Sequence, residues 1–356
     1  MVLYKKIISF IFASHIACAA IDDLHFDLKM PMGPFKGESL ARKSDRPVIN
    51  LRDEELSARS FDGDVKDSTD SSKSKILVAN IFHRPHFYVA KIDLTKVKNV
   101  YYLFEKFMPL AAHTMVRFEM EPGHEIELIA KLPTQQEWKG GIKYHELEQP
   151  IKIADLVMSF DSEWVEGTKG AFNPINGVRG HYTSMFRFFS VQSFIKSFYL
   201  SRPYPVEQFR LNLKAEESGA YLRMLLDRSA YHGVDKGFNT FCNNCTTNPI
   251  EVLEESIPKR EKAGWARRNV DRLFFNLLEK HPSIVPSVLW SRGWRDKGSQ
   301  IENLERDPKL RADFDAAFDA GLERLSKMPV DSKKYKKTKE SLMKFSSGKA
   351  CLLFYY

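Results

Sequence analysis

The segment Phe241-Cys242-Asn243-Asn244-Cys245-Thr246-Thr247-Asn248-Pro249 sets two thiols among short polar side chains, just ahead of a helix signal. Asn248, Pro249 and Glu251 fit an N-cap, a first turn and a capping-box acid, and Ile250, Leu253 and Ile257 supply the apolar stripe. A helix start carries partial positive charge and free N–H groups. A thiol placed before it is therefore biased towards thiolate, the form that attacks carbonyl carbon. Those N–H groups, from Asn244 to Thr247, can also hold the oxyanion that such an attack creates. A cysteine nucleophile needs a base, usually histidine, and a third group to orient it. Ten histidines are present, so residue type alone does not single out the base. A buried or disulfide-bonded Cys245 is the competing reading.

The spacing of Cys242 and Cys245 is also that of half a zinc site or of a redox pair. Neither a second C-x-x-C nor a neighbouring histidine pair completes a metal site, so no metal and no cofactor is expected. Cys18 belongs to an N-terminal segment in which Lys5 and Lys6 precede an uncharged apolar run, Ile7 to Ala20, ending in small residues. This pattern reads as a secretory signal peptide over residues 1–20, and the run is too short to span a bilayer. Export leaves Cys242, Cys245 and Cys351, an odd number, so at least one is a free thiol or bridges to another molecule.

The elements that must position a Cys site come next. Residues 21–74 are polar, rich in Ser, Asp and Lys, and hold no period, which predicts a mostly disordered leader. From Ile76 short β-type runs follow one another: Ile76–Ile81, Phe87–Ala90, Val100–Phe104, the alternating His113–Met120 bounded by Pro122-Gly123, Glu125–Ile129 and Leu156–Trp164. Strands joined by tight Gly or Pro turns predict an antiparallel sheet. Ala171–Tyr182 reads as a loop. Phe186, Phe189, Phe194, Ile195, Phe198 and Tyr199 fall at helical spacing, which predicts a core helix or one wall of an acyl-chain pocket. Phe209–Leu213 reads as a strand and Glu216–Leu226 as a helix. Beyond Pro258, amphipathic stretches at Trp265–Leu278 and Leu310–Leu325 precede a tail with seven lysines between Lys333 and Lys349, a basic helical extension over 259–356. Such a region can rest on an anionic membrane, or be a solvated add-on.

The length of 356 residues suits about two domains, or one with large additions. Hydrophobic content of 43% with 28% charged residues excludes wholesale disorder and a polytopic membrane protein. The net charge of +8 falls to +6 once Lys5 and Lys6 leave with the signal. Export argues against nucleic acid and turns this surplus towards the cell envelope.

The run Asn239-Thr240-Phe241-Cys242-Asn243-Asn244-Cys245-Thr246-Thr247-Asn248 resembles the Asn-Cys-Thr-Thr signature of the Lnb N-terminal periplasmic domain family (DUF4105), named after a bacterial lipoprotein N-acyltransferase. Other pieces follow in that family's order. Ala112–Phe118 is similar to its His-bearing strand and Leu156–Trp164 to its Ser-aromatic strand. Gly177-Val178-Arg179-Gly180-His181-Tyr182 is similar to its Gly-x-x-Gly-x-Tyr loop, and Gln208–Leu213 with Glu216-Glu217 to its strand leading into a helix. The resemblance covers residues 75–258. It implies an α+β, papain-like fold in circularly permuted order, related to the NlpC/P60 and lecithin-retinol acyltransferase group, with an antiparallel sheet and packed helices. It implies Cys245 as nucleophile and His113 as base. Glu163, two residues beyond Asp161 on the same strand face, is expected to orient His113. The function expected is exported, thiol-based acyl transfer or hydrolysis on a lipid, lipoprotein or other envelope ester or amide. The alternatives are cleavage of peptidoglycan peptides and a non-catalytic envelope-binding scaffold. The expected location is periplasmic or secreted, with peripheral membrane contact through the basic C-terminal region.

Overall fold

The computed structural model describes residues 46–51, 74–108, 111–132, 145–164, 173–196, 204–230, 237–240, 243–257, 289, 294–295, 302–333, 335–336, 338–340 and 342–343. The expected signal peptide, Cys242, Cys351 and the stretch Trp265–Leu278 lie outside these residues.

The fold is α+β, with one large sheet and a few helices. In chain order the strands are β1 (Ile49–Leu51), β2 (Lys75–His83), β3 (His86–Asp93), β4 (Val97–Met108), β5 (Ala111–Met120), β6 (Ile126–Lys131), β7 (His145–Ile153), β8 (Asp155–Glu163), β9 (Thr183–Ser190), β10 (Val206–Arg210) and β11 (Glu302–Asn303). Their spatial order is β11-β10-β4-β5-β8-β9-β2-β3-β6-β7, with β1 added alongside β2. The pairings are antiparallel except that of β2 with β9, where Phe82 lies opposite Phe189. The helices are α1 (Pro174–Val178), α2 (Val191–Phe194), α3 (Ala215–Ala230), α4 (Thr247–Ser256) and α5 (Arg311–Ser326).

Alternation gives the sheet two faces with different work. On one, Tyr102, Phe104, Val116, Phe118, Met158, Phe160, Phe186 and Phe188 pack with Tyr221, Leu222, Leu225 and Leu226 of α3 and Ile250, Val252 and Leu253 of α4. Helix α3 carries Glu216 and Glu217 in its first turn and Arg228 in its last, as the helix dipole favours. Its Gly219 is required by close approach, because a Cβ there would stand 2.4 Å from the Leu94 carbonyl oxygen. On the other face, Leu103, Met115, Val157 and Phe189 form an apolar band covered by Leu304, Leu310, Phe314 and Ala317.

Three expectations change. The leader is not structureless throughout: β1 pairs Ile49 with Ala79 and Leu51 with Leu77, Val48 is fully buried, and its N–H donates to Ser229 Oγ at 2.9 Å. A triplet is too short to show a period, yet it completes a neighbouring edge. The aromatic run does not begin as a helix: Phe186, Phe188 and Phe189 lie in β9, where Phe186 and Phe188 pack under the helices and Phe189 packs in the band on the opposite face, so large apolar side chains stand on both sides of the strand. Helix α2 starts only after Ser190, whose Oγ accepts from the Ser193 N–H. Lastly, the C-terminal extension is not a separate add-on. Its β11 lengthens the sheet beside β10, and its Asp307 reaches the fully buried Arg117 of β5.

Arg117 Nη1 donates to Asp307 Oδ2 at 2.7 Å and to Gln208 Oε1 at 2.9 Å, while Nη2 donates to Asp155 Oδ2 at 3.1 Å. The Tyr101 ring lies 4.7 Å from the guanidinium. A buried charge is tolerated only when paired, so removing the cation strands two carboxylates in the interior. Arg117→Ala should lower the unfolding free energy by about 3–5 kcal/mol in urea titration. A loss below about 1 kcal/mol would contradict this account of the cluster.

Candidate active site

Register brings the polar side chains together. Glu105 of β4 lies opposite His113 of β5, Met115 opposite Ser159 of β8, and Ser159 opposite Arg187 of β9. Opposed residues share a face, as do residues two apart on a strand. Glu105, His113, Ser159, Asp161 and Arg187 therefore form one polar row beside the apolar band. The β5–β8 ladder ends at Met115–Ser159, while β5 continues with β4 and β8 with β9. His113 and Asp161 lie beyond that last pair.

The thiol arrives there from the other face. Helix α4 begins at Thr247, two residues past Cys245 and earlier than the Asn248 cap predicts. The capping comes from upstream: Asn244 Oδ1 accepts from the N–H of Thr246 at 2.8 Å and of Thr247 at 3.0 Å. Pro249 falls in the first turn, where a missing N–H costs nothing. Thr114 Oγ1 donates to the Cys245 carbonyl, and Tyr102 Oη donates to the Thr246 carbonyl at 3.2 Å. Upstream, Asn239 and Asn243 exchange backbone hydrogen bonds, and Asn243 Nδ2 donates to the Gly237 carbonyl at 2.9 Å. The thiol is thus held at the end of a tied loop. Asn244 N–H donates to Thr247 Oγ1 at 3.0 Å, so the N–H groups of Asn244, Thr246 and Thr247 all have internal acceptors. Of the expected oxyanion donors, the Cys245 N–H alone has no acceptor among the described residues.

Cys245 is a free, partly exposed thiol that couples electrostatically to His113. Burial pushes the thiol up, but the charge of His113 and the backbone N–H of Thr114 outweigh it and bring Cys245 below its usual value. Burial pushes His113 down. The Cys245 thiolate and the Asp161 charge overcome that and raise the imidazole to about 9. The His113 and Asp161 side chains are each 15% exposed, enough for a substrate to reach them from one side.

A carboxylate set against His113 is Asp161: its Oδ1 lies 3.4 Å from His113 Nε2, and Ser159 Oγ lies 2.7 Å from the same nitrogen. Burial favours a neutral Asp161, yet Arg187, His113 and the hydrogen bond from Ser159 hold it down at about 2. Glu163, expected to orient the ring, lies two residues farther along β8 opposite Thr183 and is buried. Ser159 and Arg187 were not singled out by the sequence. Alternation on β8 placed Ser159 on the right face, but only the pairing of β5, β8 and β9 joins it to His113 and Arg187.

The profile of the Lnb N-terminal periplasmic domain matches residues 83–272. The chain belongs to this family. The match runs past Pro258, where the sequence resemblance stopped, and the family's description points to the periplasm. Comparison with curated proteins and with solved structures found no match. Among the described residues, no helix is long and apolar enough to cross a membrane.

The two shifts define a pH window. The His113 charge contributes stability in full below its ordinary value near 6.5, and that contribution is lost as pH rises through about 9. Below that limit the imidazolium favours the thiolate, and the lowered thiol favours the imidazolium in turn. Alkylation of Cys245, followed by peptide mass spectrometry, should therefore be fast at pH 7. His113→Ala should slow it at least about tenfold there and move its midpoint up by more than about one pH unit. Equal rates in the two proteins at pH 7 would refute the coupling.

Proposed function

We propose that the protein is a cysteine-dependent acyl-transfer or hydrolytic enzyme of the cell envelope, with a papain-like centre reached in permuted chain order. The observation that carries this reading is the free Cys245 thiol, lowered by His113 and set two residues before a helix start. His113 takes the thiol proton, and the sulfur lone pair attacks the carbonyl carbon of an ester or amide. The oxyanion that forms faces the Cys245 N–H. On collapse, the bond to the leaving group breaks and the proton on His113 goes to it, leaving a thioester on Cys245. An amine or water, losing its proton to His113, then releases the acyl group. Asp161 replaces Glu163 as the carboxylate proposed to orient His113. Among the described residues no group of three or more His, Cys, Asp or Glu gathers as metal ligands do, and the steps above use none.

The substrate proposed is a lipid or lipoprotein at a membrane surface. Leu322, Val330 and Met343 are exposed large apolar side chains on the C-terminal segment, among the exposed Arg324, Lys327, Lys333, Lys336 and Lys339. The segment also exposes Asp319, Glu323, Asp331 and Glu340, with Lys327 paired to Glu323, so what favours the headgroup region of an anionic bilayer is the excess of lysines from Lys333 onward beside these apolar tips. This replaces the aromatic run as support for lipid chemistry, because Phe186 and Phe188 are committed to the core.

Cys245→Ala and His113→Ala should each abolish labelling by an acyl-type activity probe, by about a thousandfold or more, while the far-ultraviolet spectrum is unchanged. Unchanged labelling in either variant would sink the enzyme reading. Release of peptide fragments from purified wall, in place of turnover of diacylated lipid substrates, would move the assignment to peptidoglycan. The chain should sediment with phosphatidylglycerol vesicles and not with phosphatidylcholine vesicles, and binding should weaken as salt rises. Lys333→Glu with Lys336→Glu and Lys339→Glu should release it. Undiminished binding by that triple variant would remove the C-terminal surface from the account.

A further inference from the structure

His113 can act as base towards Cys245 only through a ring nitrogen that lacks a hydrogen, and a neutral imidazole has one such nitrogen. Which one it is depends on what the other is bonded to. Ser159 Oγ stands between two partners, 2.7 Å from His113 Nε2 and 2.8 Å from Asp161 Oδ2. It is fully buried, so no bulk water competes for it. A hydroxyl has one hydrogen to give, and it cannot donate to both neighbours.

Arg187 decides the direction. Its Nε donates to Asp161 Oδ2 at 2.7 Å, and its Nη2 stands 2.6 Å from the same oxygen. A guanidinium only donates, and its charge keeps the carboxylate ionised, an acceptor without a hydrogen of its own. The Ser159 hydrogen therefore goes to Asp161, and its lone pair faces His113. The Nε2 atom that meets that lone pair must carry a hydrogen, which leaves Nδ1 unprotonated in the neutral ring.

We infer that Ser159 and Arg187 are positioning residues that fix the hydrogen of His113 on Nε2 and so turn the basic Nδ1 to Cys245. The inference rests on the Cys245–His113 reading above. The groups facing His113 are Cys245 from the loop before α4, Glu105 from β4, and Ser159 and Asp161 from β8, with Arg187 of β9 acting through Asp161. Arg187 is a cation near a ring that becomes cationic. Acting through charge alone it would oppose the imidazolium, so its anchoring role and its bare charge push in opposite directions.

That opposition makes the test. The readout is the pH profile of Cys245 alkylation by chloroacetamide on the full chain, resolved by peptide mass spectrometry, with thermal unfolding run beside it. Ser159→Ala removes the acceptor for Nε2–H, so the midpoint should rise by about one pH unit, a tenfold loss of thiolate below it. Ser159→Thr should restore the profile. Arg187→Gln lets the carboxylate swing away and should also move the midpoint up. An unmoved Ser159→Ala profile, or a downward shift in Arg187→Gln, overturns the inference. Should these variants fold poorly, the wild-type chain still decides. With Cys245 capped by methyl methanethiosulfonate, nitrogen-15 spectra at pH 8 should show a neutral His113 protonated on Nε2, and protonation on Nδ1 overturns it. A His113→Ala profile identical to wild type would instead remove the site reading itself. A shifted His113→Ala profile with an unmoved Ser159→Ala profile removes only this inference.

Discussion

A half-buried imidazole keeps its proton only when anions face it, and that requirement organises this part of the protein. His113 sits between a thiolate and a carboxylate, and the carboxylate is in turn held by a guanidinium. Such an alternating line of charges is stable only if every member stays in place, since a missing partner leaves a desolvated charge behind. The chain meets this by taking one member from each of four separate pieces: β5, β8, β9 and the loop before α4. The first three are neighbours in the sheet, and sheet register fixes them to a fraction of a residue. A slip of one residue in β8 would carry Asp161 to the opposite face and bring Phe160 or Ser162, neither of them an anion, to His113.

The Cys245 thiol is anchored differently. Its loop is tied by its own asparagines and by Thr114 and Tyr102, and α4 behind it is packed on the core face of the sheet. Imidazole and thiol therefore belong to opposite sides of one sheet and meet where the β5–β8 ladder stops. The same strand, β5, carries a second buried arginine–carboxylate cluster at Arg117, with the Met115 band between the two.

Elements with a clear period were legible in the sequence. The alternation of His113–Met120 gave β5, and the apolar stripe at Tyr221, Leu222, Leu225 and Leu226 marked α3. Others were not. Strand β7 is polar, contains Pro150 and lies at the end of the strand order, where proline is tolerated and an apolar pattern is not needed. Strands β1 and β11 are too short to show any period. In the site, Cys245 and His113 were legible as candidates, the histidine only through the family resemblance of its strand. The choice among Ser159, Asp161 and Glu163 was not, because all three alternate onto one face and only the partner strand distinguishes them. Arg187 was hidden in an aromatic run whose spacing fits helix and doubly covered strand equally.

The reach of Arg117 has a consequence for where the domain ends. Its partner Asp307 and the strand β11 lie beyond residue 272, where the family match stops, and β1 and most of β2 precede residue 83, where it starts. The stretch recognisable by common ancestry is thus smaller than the stretch that closes the structure. Cutting the gene at the ends of the match would deprive Arg117 of Asp307, strip β11 from one edge of the sheet and remove most of β2 from between β9 and β3. The natural piece for expression or for grafting runs at least from Arg46 to Ser326.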